Sequence, residues 1–279
     1  MNQFRTITLV VLLVTLSAIF FSFSESTKSF SNANCSIQNE AFAGGEHLVY
    51  KMYYNLGFIW MPAGEVVFTV EEKPATYEMK AIGKTYKSYD KIFRVNDYFC
   101  SSVSKETLFP KNFVRIIEEG SYRIFDSIAF DQNRNVAVSF HGTKREDAKP
   151  RVHQLDQCMQ DIVSNIYYMR NINTDGMKKG DKMAVKMLFD KEIYPINIRY
   201  HGSEKKDIKD LGQFKTIKIH PDLVAGNVFK DGDKMTIWIS DDANKLPLLI
   251  ESPVSVGSVK AVLKSYKGLK YHLDSEIKD

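Results

Sequence analysis

Through most of this chain apolar and polar residues alternate with a period of two. From Glu46, the run EHLVYKMYYNL sets Leu48, Tyr50, Met52, Tyr54 and Leu56 on one side and Lys51, Tyr53 and Asn55 on the other. That is the pattern of a half-buried strand. Val66, Phe68 and Val70 against Glu65, Thr69 and Glu71 repeat it after Pro62-Ala63-Gly64. Proline has no amide to donate and glycine relaxes the backbone, so a bulge or bend is expected there. Tyr77–Ala81, Phe93–Val103, Phe113–Glu119, Tyr122–Asp131 and Val136–Gly142 read as further strands, with turn signals at Glu119-Gly120 and Asp131-Gln132-Asn133. After an interruption come Lys182–Asp190, Tyr194–His201, Gln213–His220, Lys234–Ser240, Leu246–Glu251 and Val254–Tyr266, the last expected to kink at Gly257.

The interruption has a different period. After the charged loop Lys144–Pro150, Leu155, Met159, Ile162, Ile166 and Met169 recur at alternating steps of four and three, and Val163 and Tyr167 widen the stripe. This predicts a long amphipathic helix over about residues 154–173. Gln157, Gln160, Asp161, Ser164 and Asn165 form its polar side, and Asn173-Thr174-Asp175-Gly176 ends it. Many strands with one helix make the fold class mainly β. The expected architecture is a large curled antiparallel sheet, a half-open barrel, with the helix packed on its concave face.

The first residues carry an address. A short basic start at Arg5 precedes an apolar run from Ile7 to Phe23, and Ser22-Phe23-Ser24 offers small residues at both cleavage positions. Residues 1–24 therefore read as an export signal. An uncleaved membrane anchor is the rival, because about 20 apolar residues span a bilayer. No later run approaches that length, so no membrane span is expected after cleavage. Residues 25–40, rich in Ser and Asn, read as a flexible linker. Residues 41–272 form one β-rich domain, and residues 273–279 form a tail. The implied localisation is periplasmic or secreted.

A net charge of +4 implies no polyanion and no nucleic-acid partner. Three cysteines, Cys35, Cys100 and Cys158, allow one disulfide and leave one thiol over. Cys158 is read as a free, buried apolar residue of the helix. The chain has no nucleotide-binding glycine loop, no Gly-x-Ser-x-Gly elbow, no His-Glu-x-x-His and no Cys-x-x-Cys. The histidines His47, His141, His153, His201, His220 and His272 are scattered without ligand spacing. No catalytic residue, metal site or cofactor is therefore assigned. Asp241-Asp242-Ala243-Asn244-Lys245 and Asp231-Gly232-Asp233 read as turns rather than calcium loops.

Tyr50, Tyr54, Trp60, Phe68, Phe93, Phe99, Tyr167 and Tyr168 either form plain core or line an apolar cavity. The candidate ligand-binding set is Tyr50, Tyr54, Trp60 and Phe68 from the strands, with Met159, Ile162 and Ile166 from the helix.

Several short motifs occur in an order that resembles the exported bacterial family catalogued as domain of unknown function 3108. They are Gly45-Glu46-His47-Leu48-Val49-Tyr50, Ala63-Gly64-Glu65, Thr107-Leu108-Phe109-Pro110, Glu119-Gly120-Ser121-Tyr122, Asp161-Ile162-Val163-Ser164 and Tyr167-Tyr168-Met169-Arg170. Ile237-Trp238-Ile239-Ser240-Asp241-Asp242, Leu246-Pro247 and Val256-Gly257-Ser258-Val259 close the series. The resemblance implies an exported, mainly β protein and carries no catalytic residues with it. The closing pattern is also similar, at fold level only, to periplasmic lipoprotein carriers of the LolA and LolB type, whose half-open barrels hold acyl chains. Two functions follow as expectations. One is a non-catalytic envelope protein binding a lipid or acylated chain, such as a lipoprotein, between sheet and helix. The other is a structural or adaptor protein acting on an envelope protein partner. A hydrolase of envelope polymers would need carboxylates and histidines gathered in one cleft.

Overall fold

The alternating segments pair into strands nearly everywhere they are expected. A computed structural model describes residues 36–56, 59–89, 91, 93–155, 158–222, 234–254 and 257–278. The predicted signal, most of the linker, Cys35, Gln157 and the Asp231–Asp233 turn lie outside the described residues. The first half holds β1 (His47–Leu56), β2 (Ile59–Glu72), β3 (Thr76–Thr85), β4 (Asn96–Ser104), β5 (Pro110–Glu119), β6 (Tyr122–Asp131), β7 (Val136–Gly142) and β8 (Lys149–Gln154). The second holds β9 (Met159–Gln160), β10 (Lys182–Phe189), β11 (Glu192–Ile208), β12 (Gly212–Pro221), β13 (Thr236–Ser240), β14 (Pro247–Pro253) and β15 (Ser258–Lys267). Between β9 and β10 lies α1 (Ile162–Met169).

Among the described residues, all 15 strands join one sheet, in the order β8 to β1 followed by β15 to β9. Each half is a meander of neighbouring hairpins, and β1 against β15 zips the halves together. Every pairing is antiparallel except β9 with β10. The sheet does not close, since β8 and β9 are both edges. It does bend back on itself: α1 packs against β3, β4 and β10, and Arg115 of β5 reaches Asp190 beyond β10. Nine strand steps separate β4 from β10 in the order above. At about 4.8 Å per step, a flat sheet would put them roughly 43 Å apart, beyond the reach of one helix.

The expected bulge is present. The register passes from Met52↔Gly64 to Tyr53↔Pro62, leaving Ala63 as the extra residue. Gly64 is required beside it, because a Cβ there would stand 2.2 Å from the Lys84 carbonyl oxygen. Gly257, expected to kink one long strand, instead closes the turn between β14 and β15. Its φ is +85°, and its Cα faces the Asn55 carbonyl so closely that a Cβ would clash at 2.0 Å.

The long helix is a correction. Only Ile162–Met169 is helical, while His153 and Gln154 end β8 and Met159-Gln160 pair with β10. The helix starts where Asp161, in extended backbone, accepts the amides of Val163 and Ser164 at 2.8 Å each. Upstream, Cys158 has φ +69° and is disulfide-bonded, which also corrects its reading as a free thiol. Its partner lies outside the described residues, and Cys100 is free. A left-handed, cross-linked residue cannot continue a helix. The expected polar face fails too: Gln160, Asp161 and Ser164 are all buried. Within residues 273–278, Phe214 bridges to Glu276 and Leu273 is buried.

Candidate functional site

Strand β5 turns Phe113, Arg115, Ile117 and Glu119 to the buried side, so two ionisable groups sit where the pattern leads one to expect apolar ones. Directly across the strands, Arg115 pairs with Asp126 on β6, and Asp126 with His141 on β7. The fourth member comes from far along the chain. Asp190 and Lys191 form the two-residue loop between Phe189 and Glu192, with φ of +48° and +72°. Both values lie in the left-handed region of a type I′ hairpin turn, usually taken by Asn or Gly. This turn delivers the Asp190 carboxylate to the β5–β7 row.

Arg115 Nη2 donates to Asp126 Oδ2 and to Asp190 Oδ1, at 3.0 Å each. Its guanidinium lies 4.3 Å from the centroid of the Phe189 ring. Arg115 and Asp126 are buried to within 3% of full enclosure, while the His141 and Asp190 side chains keep 23% and 20% exposure. His141 Nδ1 stands 3.6 Å from Asp126 Oδ1 and 3.8 Å from Asp190 Oδ1. Among the described residues, neither Asp126 Oδ1 nor His141 Nδ1 has a hydrogen-bond partner.

Next along the same face, Asp97 and Glu119 sit together. Burial, and after it the charge of Asp97, pushes the Glu119 carboxyl well above the usual carboxylate range; Asp97 is raised chiefly by burial. Among the described residues Asp97 Oδ2 has no hydrogen-bond partner, and a proton held on Glu119 spares the fold two adjacent buried charges. The folded chain thus keeps a proton that the unfolded chain releases in the ordinary carboxylate range. This contribution to stability is full below that range and is lost as pH rises through the folded value. Glu119→Gln, which keeps a neutral donor, is expected to match the parent near pH 5. Above pH 8 it should exceed the parent by on the order of 1 kcal/mol in urea unfolding. A pH–stability curve parallel to the parent's would remove the retained proton.

Ser139 Oγ lies 2.8 Å from His153 Nε2. The serine is 1% exposed and the histidine 7%, so no substrate reaches this hydroxyl without opening the sheet. Burial, and then Arg151, lowers the His153 pKa, favouring the neutral ring.

Of the predicted ligand-binding residues, Tyr50, Phe68, Met159 and Ile162 lie in one packed cluster, with Ile166 partly buried against it. Tyr50 donates from its hydroxyl to the Pro247 carbonyl at 2.8 Å and stacks edge-on to Phe68. Trp60 is elsewhere. It lies on the β1–β2 hairpin between Ile59 and Met61, and the three are 36%, 67% and 37% exposed respectively. Across the hairpin, Met61 opposes Tyr54 and Trp60 opposes Asn55. Lys260 holds its ammonium 4.2 Å from the Trp60 ring centroid.

Sequence reading missed the Arg115–Asp126–His141–Asp190 group, because its members are up to 75 residues apart in the chain. One signal was available: Asp126 falls on the apolar phase of its strand, between Ile124 and Ile128. The Asp190-Lys191 dipeptide between two alternating runs likewise marks a two-residue turn.

Residues 49–264 match the family model DUF3108, described as "Protein of unknown function". No curated protein matches the chain in sequence. Among solved structures, the chain is similar to a β-barrel-like protein of domain of unknown function DUF1849 from Brucella abortus. That likeness has a TM-score of 0.54 at 9% identity and covers 85% of this chain and all of the other. A chain from Parabacteroides distasonis described as "a putative lipoprotein" matches with a TM-score of 0.29 at 13% identity, covering 84% of this chain and 100% of that one. Among the described residues, no helix is long and apolar enough to cross a membrane.

Proposed function

The chain belongs to the DUF3108 family of proteins of unknown function, and from that footing we propose an exported, non-catalytic protein of the cell envelope that binds an anionic lipid surface. The contact is the hairpin tip carrying Ile59, Trp60 and Met61. The observation that carries this reading is three consecutive large apolar side chains left in solvent, with a lysine beside the tryptophan. Exposed apolar groups are ordinary when scattered but mark a contact when contiguous. Tryptophan favours the level of lipid headgroups, where one edge is apolar and the other wet, and Lys260 complements their phosphates.

The interior offers less support as a ligand site. α1 packs against β3, β4 and β10, and Ile162, Val163 and Tyr167 are each at most 2% exposed. An acyl chain between sheet and helix would have to displace them. The polar pairs also look structural rather than catalytic, since the Ser139 hydroxyl is enclosed and Arg115 engages both nearby carboxylates.

Co-sedimentation with phosphatidylglycerol-containing vesicles tests the reading. The protein should bind, with a blue shift of Trp60 emission. The other tryptophan, Trp238, is already 5% exposed and donates to Glu204 Oε1 at 2.6 Å. Ile59→Asp with Met61→Asp should weaken binding by at least about tenfold, since two apolar side chains contribute roughly 1.5–3 kcal/mol each on full burial. Vesicle binding that ignores both substitutions, or no binding at all, overturns it. Lipid retained by purified protein in native mass spectrometry would place the ligand inside, and a stable cross-linked protein partner at the tip would make it an adaptor.

A further inference from the structure

We propose that Asp126, His141 and Asp190 form a binding site for a divalent transition-metal ion of the zinc class, independent of the lipid-contact reading. The three residues offer one ligand atom each, all within 4.8 Å of one another, and they come from β6, β7 and the β10–β11 turn. Acidic residues near a histidine are common without a metal, so the case rests on what their atoms lack. Asp126 Oδ1 is enclosed in a side chain 1% exposed, and it faces His141 Nδ1 with no donor to either atom among the described residues.

The spacing discriminates between a proton and an ion. Separations of 3.6 and 3.8 Å from the imidazole nitrogen to the two carboxylates are beyond good hydrogen-bond length. Two metal bonds of about 2.1 Å meeting at roughly 110–130° separate their ligand atoms by about 3.4–3.8 Å. The cluster has that bite. Charge agrees with it: two carboxylates against one guanidinium leave one negative charge uncompensated in a largely buried setting.

Arg115 does not compete for the same lone pairs. It bonds Asp126 through Oδ2, leaving Oδ1 free, and takes one lone pair of Asp190 Oδ1. It thereby holds both carboxylates in place from behind, as outer partners of metal ligands do. One imidazole with two carboxylates suits zinc or its neighbours in the first transition row better than calcium or magnesium, which prefer all-oxygen sets. The remaining exposure of His141 and Asp190 gives an ion its way in and leaves room for water as a fourth ligand.

Zn2+ titrated calorimetrically into metal-free full-length protein near pH 7 tests the site. One ion per chain is expected, with a rise in Tm that Mg2+ and Ca2+ do not reproduce. Asp190→Asn keeps an acceptor for Arg115 and lies in a partly exposed turn, so the chain should fold. It and His141→Ala should each weaken Zn2+ binding by at least about tenfold. The stacked His201–His220 pair, with ring centroids 3.9 Å apart, is the obvious rival on the surface, and His220→Ala should leave the affinity unchanged. Absence of a one-to-one site, an affinity untouched by both Asp190→Asn and His141→Ala, or its loss on His220→Ala would each overturn the assignment.

Discussion

Arg170→Met is expected to cost about 3–5 kcal/mol of folding free energy, read as a shift of the urea midpoint at constant slope. In a chain of this size that corresponds to a fall in Tm of roughly 6–20 °C. Arg170 caps the C-terminal end of α1 and is 3% exposed. Its guanidinium meets Glu46 twice, Nη1 to Oε1 at 2.6 Å and Nη2 to Oε2 at 2.8 Å. Nε donates to the Asn244 carbonyl and Nη2 also to that of Ala41. One side chain thus ties the helix to the entry into β1 and to the β13–β14 turn. Methionine keeps much of the volume but strands the Glu46 carboxylate and two carbonyls away from water. The penalty comes mainly from that orphaned charge, so Arg170→Met with Glu46→Leu should recover a substantial part of the loss. A single variant within about 1 kcal/mol of the parent would show that water reaches Glu46.

The second large effect is at the other end of the same helix. Asp161→Ala should cost about 3 kcal/mol, by combining a lost N-cap with buried donors left unpaired. The Asp161 carboxylate accepts the amides of Val163 and Ser164 and the hydroxyl of Ser101, the last at 2.5 Å from β4. It is fully enclosed, and burial raises its pKa to about 6 despite those three donors, which pull the other way. The sign follows from the raised value. The folded state holds the proton more tightly than the unfolded chain, so this group's contribution is greatest below the ordinary carboxylate range. It falls as pH rises through about 6. Asp161→Asn keeps one acceptor oxygen, should cost on the order of 1 kcal/mol, and should flatten the pH dependence between about 4 and 6. Equal losses for alanine and asparagine at every pH would mean that the charge, and not the cap, is what matters.

The two ends of α1 also show how far residue patterns carry. The motif residues Asp161 and Arg170 both fall inside the stretch read as one long helix, and both act at its true limits. The 3.6-residue periodicity extends across Leu155 and Met159, yet these lie outside the helix. Short apolar runs fit either period, and pairing of Met159-Gln160 with β10 decided the matter. Gln160, Asp161 and Ser164 are buried although their hydrophilicity predicts a solvent-facing side. Each in fact meets a hydrogen-bond partner in the interior: the Leu108 carbonyl, Ser101, and the Asp161 backbone.

What the chain determines by itself is the local part of the architecture. Side chains alternate across a strand because successive Cβ atoms point to opposite faces, so the strands, the Ala63 bulge and the turns at Gly120 and Asp242–Lys245 are legible residue by residue. Tertiary structure alone decides which distant groups meet. The bend that brings the β10–β11 turn back to β5 is set by the summed twist and packing of 15 strands and leaves no mark in any short window. Asp190 finds Arg115, and Arg170 finds Glu46, only after that bend has formed. A buried charge reads as a misplaced polar residue until its partner is in view, since neutralising it takes a group that only the folded chain supplies.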